Sequence, residues 1–377
     1  MGLRSFLMRA ATMALTSRRR RDLKRGAAVL RRRLRRERAV VDYFHQADDP
    51  YSWLTAQLLD RLRERYDIDL KVWPVPPPSD AAAPEREKLA AYALRDVARI
   101  AGAYGLVARP TQPAVFDGPM EEGGARREKL GHYLGATFHL DGEWFWGVDR
   151  LGYLEARLAA LGLDRTPGKP SLAPLRDLTL APLKGKPRPK TIELWFSFRS
   201  PYSYLIMPRI RRLAAHHGAE LKLRPILPMV MRGLPVPPPK RLYIVLDCKR
   251  EAERLGLPFG KIVDPVGAGA ERALAVLHHA MPLGLGEDFA ELAMRGAFAE
   301  GIDLASDAGL LGVAVRAGLS EAEVRAALAD DSWREAVEAN RQALFDAGLW
   351  GPPSFRLHGG PAYWGQDRLW VLEEDLA

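Results

Sequence analysis

The chain contains a single cysteine, Cys248, among its 377 residues. One thiol cannot form a disulfide within the chain or supply a Cys-x-x-Cys motif, so a dithiol oxidoreductase is excluded. No run of eighteen apolar residues occurs, which argues against a membrane-spanning helix, and no Gly-rich phosphate-binding loop is present. With 47% hydrophobic and 27% charged residues, the composition predicts a soluble, globular protein of two or three domains. The single thiol fits a reducing compartment, so we predict a cytoplasmic location.

Acidic residues are scarce in the first 38 positions. Thirteen Arg and one Lys stand there against two acidic residues, a net charge of +12, whereas the whole chain carries +9. The remainder is therefore −3, and the basic character belongs to an N-terminal arm, residues 1–38. Such an arm favours contact with an anionic surface, either as a helix on lipid or as a nucleic-acid tether. The alternative is a solvated helix or a disordered tail packed loosely on the domain that follows.

The tripeptide Pro-Tyr-Ser occurs twice, and the same landmarks follow each copy in the same order. They are a proline run, a lysine that opens a helical stretch, an Asp-x-x-Arg motif and the motif Trp-Gly-x-Asp-Arg-Leu. In the first copy they begin at Pro50, Pro74, Lys88, Asp96 and Trp146, and in the second at Pro201, Pro235, Lys240, Asp247 and Trp364. Five landmarks in one order predict a duplicated domain. The copies span 39–163 and 190–377, and a Pro- and Lys-rich linker, 164–189, joins them.

Each copy is predicted to start with a β-α-β unit and to end with a β-hairpin and a helix. The predicted first strand, helix and second strand are Val40–Phe44, Pro50–Tyr66 and Ile68–Trp73 in the first copy, and Ile192–Phe198, Pro201–His217 and Glu220–Pro225 in the second. The predicted hairpins are Ala136–Trp146 and Ser354–Trp364. Only the second copy has a long helical stretch before its hairpin, about Ala270–Ala347. The two proline runs predict structural connectors, with PPII ligands for a partner as the alternative.

This order of elements is that of a thioredoxin-like fold with an inserted helical domain. The second copy resembles the 2-hydroxychromene-2-carboxylate isomerases, close kin of kappa-class glutathione transferases within the DsbA-like group. The resemblance rests on Phe198–Leu205, Lys240 with Tyr243, Asp247-x-x-Arg250, Gly351–Phe355 and Trp364–Leu369. It implies an α/β protein with two tandem DsbA-like thioredoxin domains, the first shortened and the second carrying the full helical insertion.

The resemblance implies a glutathione-dependent isomerase or transferase that acts on a small, aromatic or conjugated substrate. In the family, Ser200 would be the catalytic residue, because a hydroxyl at a helix N-terminus stabilises the thiolate of glutathione. Pro353 would be a cis-proline, and the backbone of Pro352 would contact the cysteinyl part of glutathione. The γ-glutamyl end would bind at Gly365, Gln366, Asp367 and Arg368. Contacts with the substrate are expected from Tyr202, Tyr204, Lys240 and Tyr243.

Two departures from the family pattern keep a second interpretation open, a catalytically weak DsbA-like binding or assembly module. Pro352 stands where the family has an aliphatic residue, and a proline has no N–H to donate. The asparagine that the family carries after its second strand is absent from residues 227–234.

The first copy lacks the residues that the resemblance assigns to the site. Asp49 replaces the serine and Ala136 replaces the cis-proline. A carboxylate is a good helix cap but repels a neighbouring thiolate. We therefore expect a scaffold that pairs with the second copy as an intramolecular pseudo-dimer, or a homodimer of the whole chain.

No metal site is expected. The two adjacent pairs, His216-His217 and His278-His279, have no Cys or carboxylate at ligand spacing, so they read as surface histidines. Cys248, within a helical stretch, is expected to be a half-buried packing residue rather than a nucleophile.

Overall fold

The computed structural model describes residues 2–111, 114–182 and 190–377, and two four-stranded sheets lie within these ranges. Contacts divide the chain into two units. One contains the chain up to Arg20, Asp177–Pro235 and Ile244–Ala377, and the other contains Arg21–Arg176 with Val236–Tyr243. No helix among the described residues combines the length and the apolar character that crossing a membrane requires.

The elements of the first half alternate between helices and short strands. They are α1 (Leu3–Leu15), α2 (Arg18–Arg35), β1 (Ala39–His45), α3 (Pro50–Ala56), α4 (Leu59–Arg65), β2 (Ile68–Pro74), α5 (Arg86–Ile100), α6 (Met120–Leu130), β3 (Thr137–Leu140), β4 (Glu143–Trp146) and α7 (Gly147–Ala160).

The second half has longer helices between its strands. Its elements are β5 (Thr191–Phe196), α8 (Pro201–His217), β6 (Glu220–Pro225), α9 (Pro238–Arg254), α10 (Ala268–Ala280), α11 (Gly286–Arg295), α12 (Asp307–Arg316), α13 (Glu321–Ala329), α14 (Trp333–Asp346), β7 (Ser354–Leu357), β8 (Tyr363–Trp364) and α15 (Leu369–Leu376).

The first sheet has the strand order β2-β1-β3-β4. Strand β1 pairs parallel with β2 and antiparallel with β3, and β3 and β4 form an antiparallel hairpin. Val41, Tyr43 and Phe44 of the central strand are fully buried. A strand with side chains buried on both faces needs cover on both sides, and helices pack against this sheet as the predicted β-α-β start requires.

The second sheet repeats this arrangement with the order β6-β5-β7-β8. Strand β5 pairs parallel with β6 and antiparallel with β7, which pairs antiparallel with β8. The run Leu194, Trp195 and Phe196 is fully buried, as expected for a central strand covered on both faces. The strands predicted from the sequence are all present, and their ends differ from the prediction by at most two residues.

The helical insertion, predicted as one stretch from Ala270 to Ala347, is five helices, α10 to α14. Gly284 and Gly301, both with positive φ, lie in two of the breaks. Helix α13 starts with a capping box in which Ser320 and Glu323 exchange hydrogen bonds. These local signals divide an Ala-rich sequence that periodicity alone does not divide.

Two elements of the first half differ from the prediction. The helix predicted over Pro50–Tyr66 is broken into α3 and α4. Helix α6 was not predicted, because Gly123 and Gly124 suggest a loop. A Cβ at Gly123 would lie 2.0 Å from the carbonyl oxygen of Pro74, so this helix can lie on the end of β2 only with glycine there. Packing therefore explains a residue that intrinsic helix propensity disfavours.

The N-terminal arm is helical, and α1 packs against the unit that contains the second sheet. The hydroxyl of Ser5 donates to a carboxylate oxygen of Asp303 at 2.5 Å, and the hydroxyl of Thr12 accepts from the N–H of Ile262 at 3.1 Å. These contacts contradict the alternative in which the arm is a disordered tail packed loosely on the first copy. The reason is that α1 turns its polar side chains, which can form hydrogen bonds, toward the protein.

The predicted linker, residues 164–189, is anchored at two points by carboxylates. Glu155 accepts a hydrogen bond from the backbone N–H of Leu172 at 2.8 Å within one unit, and Glu373 accepts one from Thr179 at 2.8 Å within the other. The part of the linker from 183 to 189 lies outside the described residues.

Candidate functional site

Ser200 lies where the central strand β5 passes into helix α8. Its backbone is extended (φ −89°, ψ 112°), and its hydroxyl oxygen accepts a hydrogen bond from the N–H of Ser203 at 3.2 Å. Pro201 follows at the first helical position, where its missing N–H costs no helical hydrogen bond. Ser200 is therefore the N-cap, and its half-buried hydroxyl lies at the positive end of a seventeen-residue helix.

The segment before β7 faces this hydroxyl. The peptide bond between Pro352 and Pro353 is cis, as the family resemblance implies. The hydroxyl of Ser200 donates to the carbonyl oxygen of Pro352 at 3.4 Å, a long and therefore weak hydrogen bond. The structure thus brings together the three residues that the resemblance assigns to the thiol end of glutathione.

Two tryptophans line the same segment. Their rings, Trp350 and Trp364, lie with centroids 5.1 Å apart. The indole nitrogen of Trp364 would be 3.2 Å from a Cβ built on Gly351, so the ring lies directly over the backbone that precedes Pro352. This contact supplies an apolar wall beside the cis-proline, and Trp350 is a residue that the sequence reasoning did not single out.

An ion pair lies immediately before Ser200. Arg199 donates from Nε and from a terminal nitrogen to the carboxylate of Asp264, with distances of 2.8 and 2.8 Å to its two oxygens. The paired carboxylate compensates the arginine charge, so the positive potential at Ser200 comes mainly from the helix end. The position of Arg199 next to Ser200 could have suggested its proximity, but nothing in the sequence indicates Asp264.

Tyr202 and Tyr204 have different surroundings. The phenol of Tyr202, half-buried, donates to the buried carboxylate of Asp247 at 2.8 Å, which joins α8 to α9. The phenol of Tyr204 donates to the carbonyl oxygen of Pro258 at 2.6 Å and is 3% exposed. Burial raises the pKa of Tyr204 to about 12, so it stays protonated. Tyr204 is therefore held as a packing residue within the unit.

The predicted γ-glutamyl segment is tied into a buried polar network. The side-chain oxygen of Gln366, 1% exposed, accepts from Arg209 at 2.5 Å, and its nitrogen donates to Glu251 at 2.9 Å. Arg209 also donates to Asp177 at 2.5 Å. Burial acts to raise the pKa of Asp177, but the charges of Arg209 and Arg254 outweigh it, and the net pKa is lowered. Gln366 thus positions its segment through internal partners.

The neighbours of Gln366 differ in exposure. Gly365 has φ +92°, a backbone conformation that favours glycine, and its N–H donates to the carbonyl oxygen of Pro353 at 2.9 Å. Asp367 is half-buried, whereas Arg368 is 4% exposed. The loop after β8 is therefore fastened to the cis-proline segment through its backbone, and the carboxylate of Asp367 accepts a hydrogen bond from the side-chain nitrogen of Gln366 at 2.5 Å.

Lys240 and Tyr243 belong to the other unit. The ammonium of Lys240 donates to the carbonyl oxygen of Ala82 at 2.8 Å, and burial lowers the pKa of Lys240 to about 8. Tyr243 packs edge-on against His132, with centroids 4.7 Å apart. Both side chains thus have partners from the first copy. Their predicted contacts with a substrate stay predictions.

Among the described ranges, no group of three or more His, Cys, Asp or Glu has the geometry to hold a metal ion. His217 is buried rather than at the surface, because it ends the buried face of α8. Cys248 is fully buried rather than half-buried.

Comparison with known proteins finds a family model that matches the second copy. A family model described as a DSBA-like thioredoxin domain matches residues 191–377. The chain is 25% identical over 198 residues to a 2-hydroxychromene-2-carboxylate isomerase of Pseudomonas putida, a match that covers 49% of this chain and 93% of that protein. It is also 25% identical over 192 residues to the isomerase of Pseudomonas sp. (strain C18), covering 48% of this chain and 88% of that one.

The solved structure of a 2-hydroxychromene-2-carboxylate isomerase is also similar to part of this chain. The match has 21% sequence identity and a TM-score of 0.43, and it covers 49% of this chain and 94% of that one. The predicted DsbA-like fold is confirmed for the second copy by the family model. For the first half, the structural observation is the sheet β2-β1-β3-β4, and the duplication stays a prediction.

Proposed function

Because residues 191–377 form a DsbA-like thioredoxin domain, we propose that the chain is a glutathione-dependent isomerase or transferase with Ser200 as its catalytic residue. Its substrates are small organic molecules, aromatic or conjugated. The observation that carries the proposal is the position of the Ser200 hydroxyl, which caps α8 while facing the carbonyl of Pro352. The similarity to two isomerases over nearly their whole length supports the reaction class.

The role of Ser200 follows from electrostatics. A hydroxyl hydrogen and the positive end of a helix both favour an anion over its protonated form. An ordinary thiol has a pKa of about 8.5, so lowering it by a unit or two makes the thiolate abundant at neutral pH. When bound, glutathione supplies a thiolate nucleophile. The 3.4 Å bond to Pro352 is weak enough for the hydroxyl to turn toward a stronger acceptor.

The residues around Ser200 fit glutathione at most points. The carbonyl of Pro352 can accept the cysteinyl N–H, although this proline cannot donate in return. The half-buried carboxylate of Asp367 suits the γ-glutamyl ammonium. Gln366 would orient this segment, because its side chain is engaged with Arg209 and Glu251.

A titration of the full chain with glutathione by calorimetry tests the proposal, with a parallel measurement of the thiolate absorbance of bound glutathione against pH. One equivalent should bind, with a thiol pKa below that of free glutathione. S-methylglutathione is the control, because it keeps the peptide contacts but has no thiol to ionise. An unshifted thiol pKa would contradict the role of Ser200. The relatives' named substrate, 2-hydroxychromene-2-carboxylate, is the first isomerisation to assay.

A second function, a DsbA-like binding or assembly module with little catalysis, is favoured by one observation. Pro352 has no N–H, so one of the two backbone contacts expected for the cysteinyl unit is missing. The calorimetric titration separates the two proposals, because the module should not bind glutathione.

The pseudo-dimer and the homodimer differ in mass, and light scattering of the full chain distinguishes one chain from two.

A further inference from the structure

Helix α1 is amphipathic in the opposite sense to an ordinary surface helix. Its polar side chains face the protein, since Ser5 is 6% and Thr16 is 7% exposed. Three of its large apolar side chains face outward, since Leu3 is 75%, Phe6 53% and Leu7 56% exposed, whereas Met8 is half-buried and accepts from the N–H of Asp264. A helix on a globular protein normally buries its apolar stripe. Here the hydrogen bonds of Ser5 and Thr12 hold the helix in place, and the apolar face stays free.

Helix α2 also exposes apolar side chains, but ion pairs rather than hydrogen bonds of hydroxyl groups attach it to its unit. Leu23, Leu30 and Leu34 are 66%, 59% and 77% exposed, and their spacing of seven and four residues puts them on one face. On another face, Arg25 donates to both carboxylate oxygens of Glu143 at 2.7 and 2.6 Å. Ion pairs therefore hold α2 on its unit, while its leucines stay largely exposed, Leu30 at the edge of a cavity shared with Ala160 and Leu161.

These exposed apolar residues are concentrated in a small part of the chain. Of the eighteen large hydrophobic residues that are exposed among the described residues, eight lie between Leu3 and Leu34. Isolated exposed leucines need no explanation, but helical stripes of them mark an interaction surface. We call the outward side chains of the two helices the apolar stripes; they are Leu3, Phe6, Leu7, Met13, Leu23, Leu30 and Leu34.

Basic side chains accompany the stripes. Arg19, Arg20, Lys24, Arg31 and Arg33 are all exposed, and the arm as a whole carries +12. Leucine and phenylalanine on one helix face with arginine beside them are typical of helices that lie in the interface of an anionic bilayer. A nucleic acid would bind the arginines but would leave the exposed leucines without a role. Phe6 is also the sole aromatic residue of the arm that could stack on a base.

We propose that α1 and α2 each bind a membrane surface rich in anionic lipid. The apolar stripes enter the boundary between headgroups and acyl chains, and the arginines contact the headgroups. The partner is inferred from charge complementarity. A bilayer with anionic headgroups offers negative charge to the arginines and an apolar interior to the exposed leucines and phenylalanine. This inference does not depend on the glutathione chemistry, because no residue of the Ser200 site takes part in it.

Cosedimentation of the full chain with vesicles tests the proposal. Vesicles of phosphatidylcholine with about a third phosphatidylglycerol should bind the protein, and pure phosphatidylcholine should bind it at least about tenfold more weakly, because each arginine near an anionic surface is worth roughly a fivefold change. Equal binding to both vesicles, or to neither, would overturn the proposal.

Two variants separate the apolar and the basic contributions. Phe6→Ser with Leu7→Ser should lower the partition coefficient about tenfold or more, because two large side chains leave the acyl boundary. Leu283→Ser with Val315→Ser is the matched control, since these side chains are 48% and 55% exposed elsewhere, and it should bind as the wild type does.

The charge variant is Arg19→Gln with Arg20→Gln and Arg31→Gln, and its control is Arg109→Gln with Arg212→Gln and Arg325→Gln, which are exposed elsewhere. The first should weaken binding to anionic vesicles by tenfold or more, and the second should not. Vesicle binding that survives both the apolar and the charge variants would overturn the proposal. Circular dichroism confirms that each variant is folded.

Insertion can be read directly with a fluorophore at Leu7→Cys, because the native thiol of Cys248 is buried and does not compete for labelling. An environment-sensitive dye there should shift to shorter wavelength on anionic vesicles. A single-stranded oligonucleotide is the counter-probe. If the oligonucleotide binds tightly, the binding survives Phe6→Ser with Leu7→Ser, and the dye does not shift on vesicles, the arm is a nucleic-acid tether and the membrane proposal is wrong.

Discussion

The two sheets share their strand order, their parallel and antiparallel pairings and several contacts at matching positions. His45 at the end of β1 corresponds to Phe196 at the end of β5, and each carbonyl accepts from the residue after the next strand, Val75 at 2.8 Å and Ile226 at 2.9 Å. From this alignment, Asp49 corresponds to Ser200. The two sheets therefore share their backbone arrangement and differ in a few side chains.

A buried carboxylate lies at the same place in both central strands. Asp42 accepts two hydrogen bonds from Arg126, both at 3.0 Å, and Glu193 accepts one from Arg356 at 2.6 Å. Burial acts to raise both pKa values, but their hydrogen-bond partners prevail, so the pKa of Asp42 falls to about 2 and that of Glu193 is also lowered. Each acid is ionised at neutral pH and ties its central strand to its neighbours.

The helix that follows the central strand is also attached in the same way. Tyr51 donates to Asp96 at 2.8 Å, as Tyr202 does to Asp247. The N-cap differs: Asp49 accepts from the N–H groups of its helix, and burial raises the pKa of its carboxyl to about 6. A carboxylate satisfies the helix end without leaving a hydroxyl for a ligand. The comparison teaches that the attachment of the helix is independent of the chemistry at its cap.

The largest expected difference between the two caps is in thiol chemistry. Ser200→Ala should raise the pKa of bound glutathione by about one unit or more and lower kcat/KM toward an aromatic electrophile about tenfold or more. Asp49→Ala is the matched control, and it should leave both quantities unchanged while costing roughly 1 kcal/mol of cap stability. Equal effects of the two variants, or two equivalents of glutathione bound by the wild type, would break the comparison.

The second prediction concerns acid stability. Burial lowers the pKa of His45 to about 4, whereas an unfolded histidine has a pKa near 6.5. The unfolded state therefore binds more protons between these values, and stability is lost as pH falls from about 6.5 toward 4. His45→Phe copies Phe196 and should recover on the order of 2–3 kcal/mol at pH 4, with little change at pH 7. Chemical denaturation at both pH values measures it, and a gain independent of pH would point to packing alone.

The third prediction tests the tyrosine–aspartate pairs. Tyr51→Phe and Tyr202→Phe each remove the hydroxyl that donates to a buried carboxylate, so each should lower the free energy of unfolding by about 1–2 kcal/mol. Similar losses would support equivalent attachments in the two sheets. If Tyr202→Phe instead changes KM for the substrate and leaves stability intact, the second pair serves ligand binding.

The smallest expected effect comes from α1. Removing residues 2–17 deletes the hydrogen bonds of Ser5 and Thr12, which are partly exposed, so the melting temperature should fall by only a few degrees, corresponding to about 1–2 kcal/mol. The acid transition attributed to His45 should not move, because α1 belongs to the other unit. Differential scanning calorimetry at pH 7 and pH 5 checks both statements. An unchanged melting temperature would show that α1 adds nothing measurable to the stability of its unit.

Much of the fold could be predicted from the sequence, because period, proline position and turn residues are local signals. The cap at Ser200 is such a local signal, whereas the cis bond before Pro353 was implied by the family resemblance. The helix over Gly123 was not, since the glycine is required by the nearby Pro74 carbonyl, a contact between distant residues. The outward stripes of α1 were also inaccessible, because a helical pattern states which residues share a face but not which face is covered.

The candidate site divides in the same manner. Motifs identified Gln366, but its engagement with Arg209 depends on a pairing across 157 residues. The ion pair of Arg199 with Asp264 spans 65 residues and has no sequence signature. Residues that act through local backbone geometry can be found in a sequence, whereas residues that act through long-range partners need the structure.

The contact of α1 with the second half also determines when α1 can pack during synthesis of the chain. Thr12 pairs with Ile262, 250 residues later in the chain. At roughly 5–20 residues per second, a ribosome needs on the order of ten to fifty seconds to make that partner. During this interval the first sheet can close, because its last strand ends at Trp146, while α1 has nothing to rest on. The nascent chain therefore presents the apolar face of α1 to the cell before the second half, which holds α1 in place, has been made.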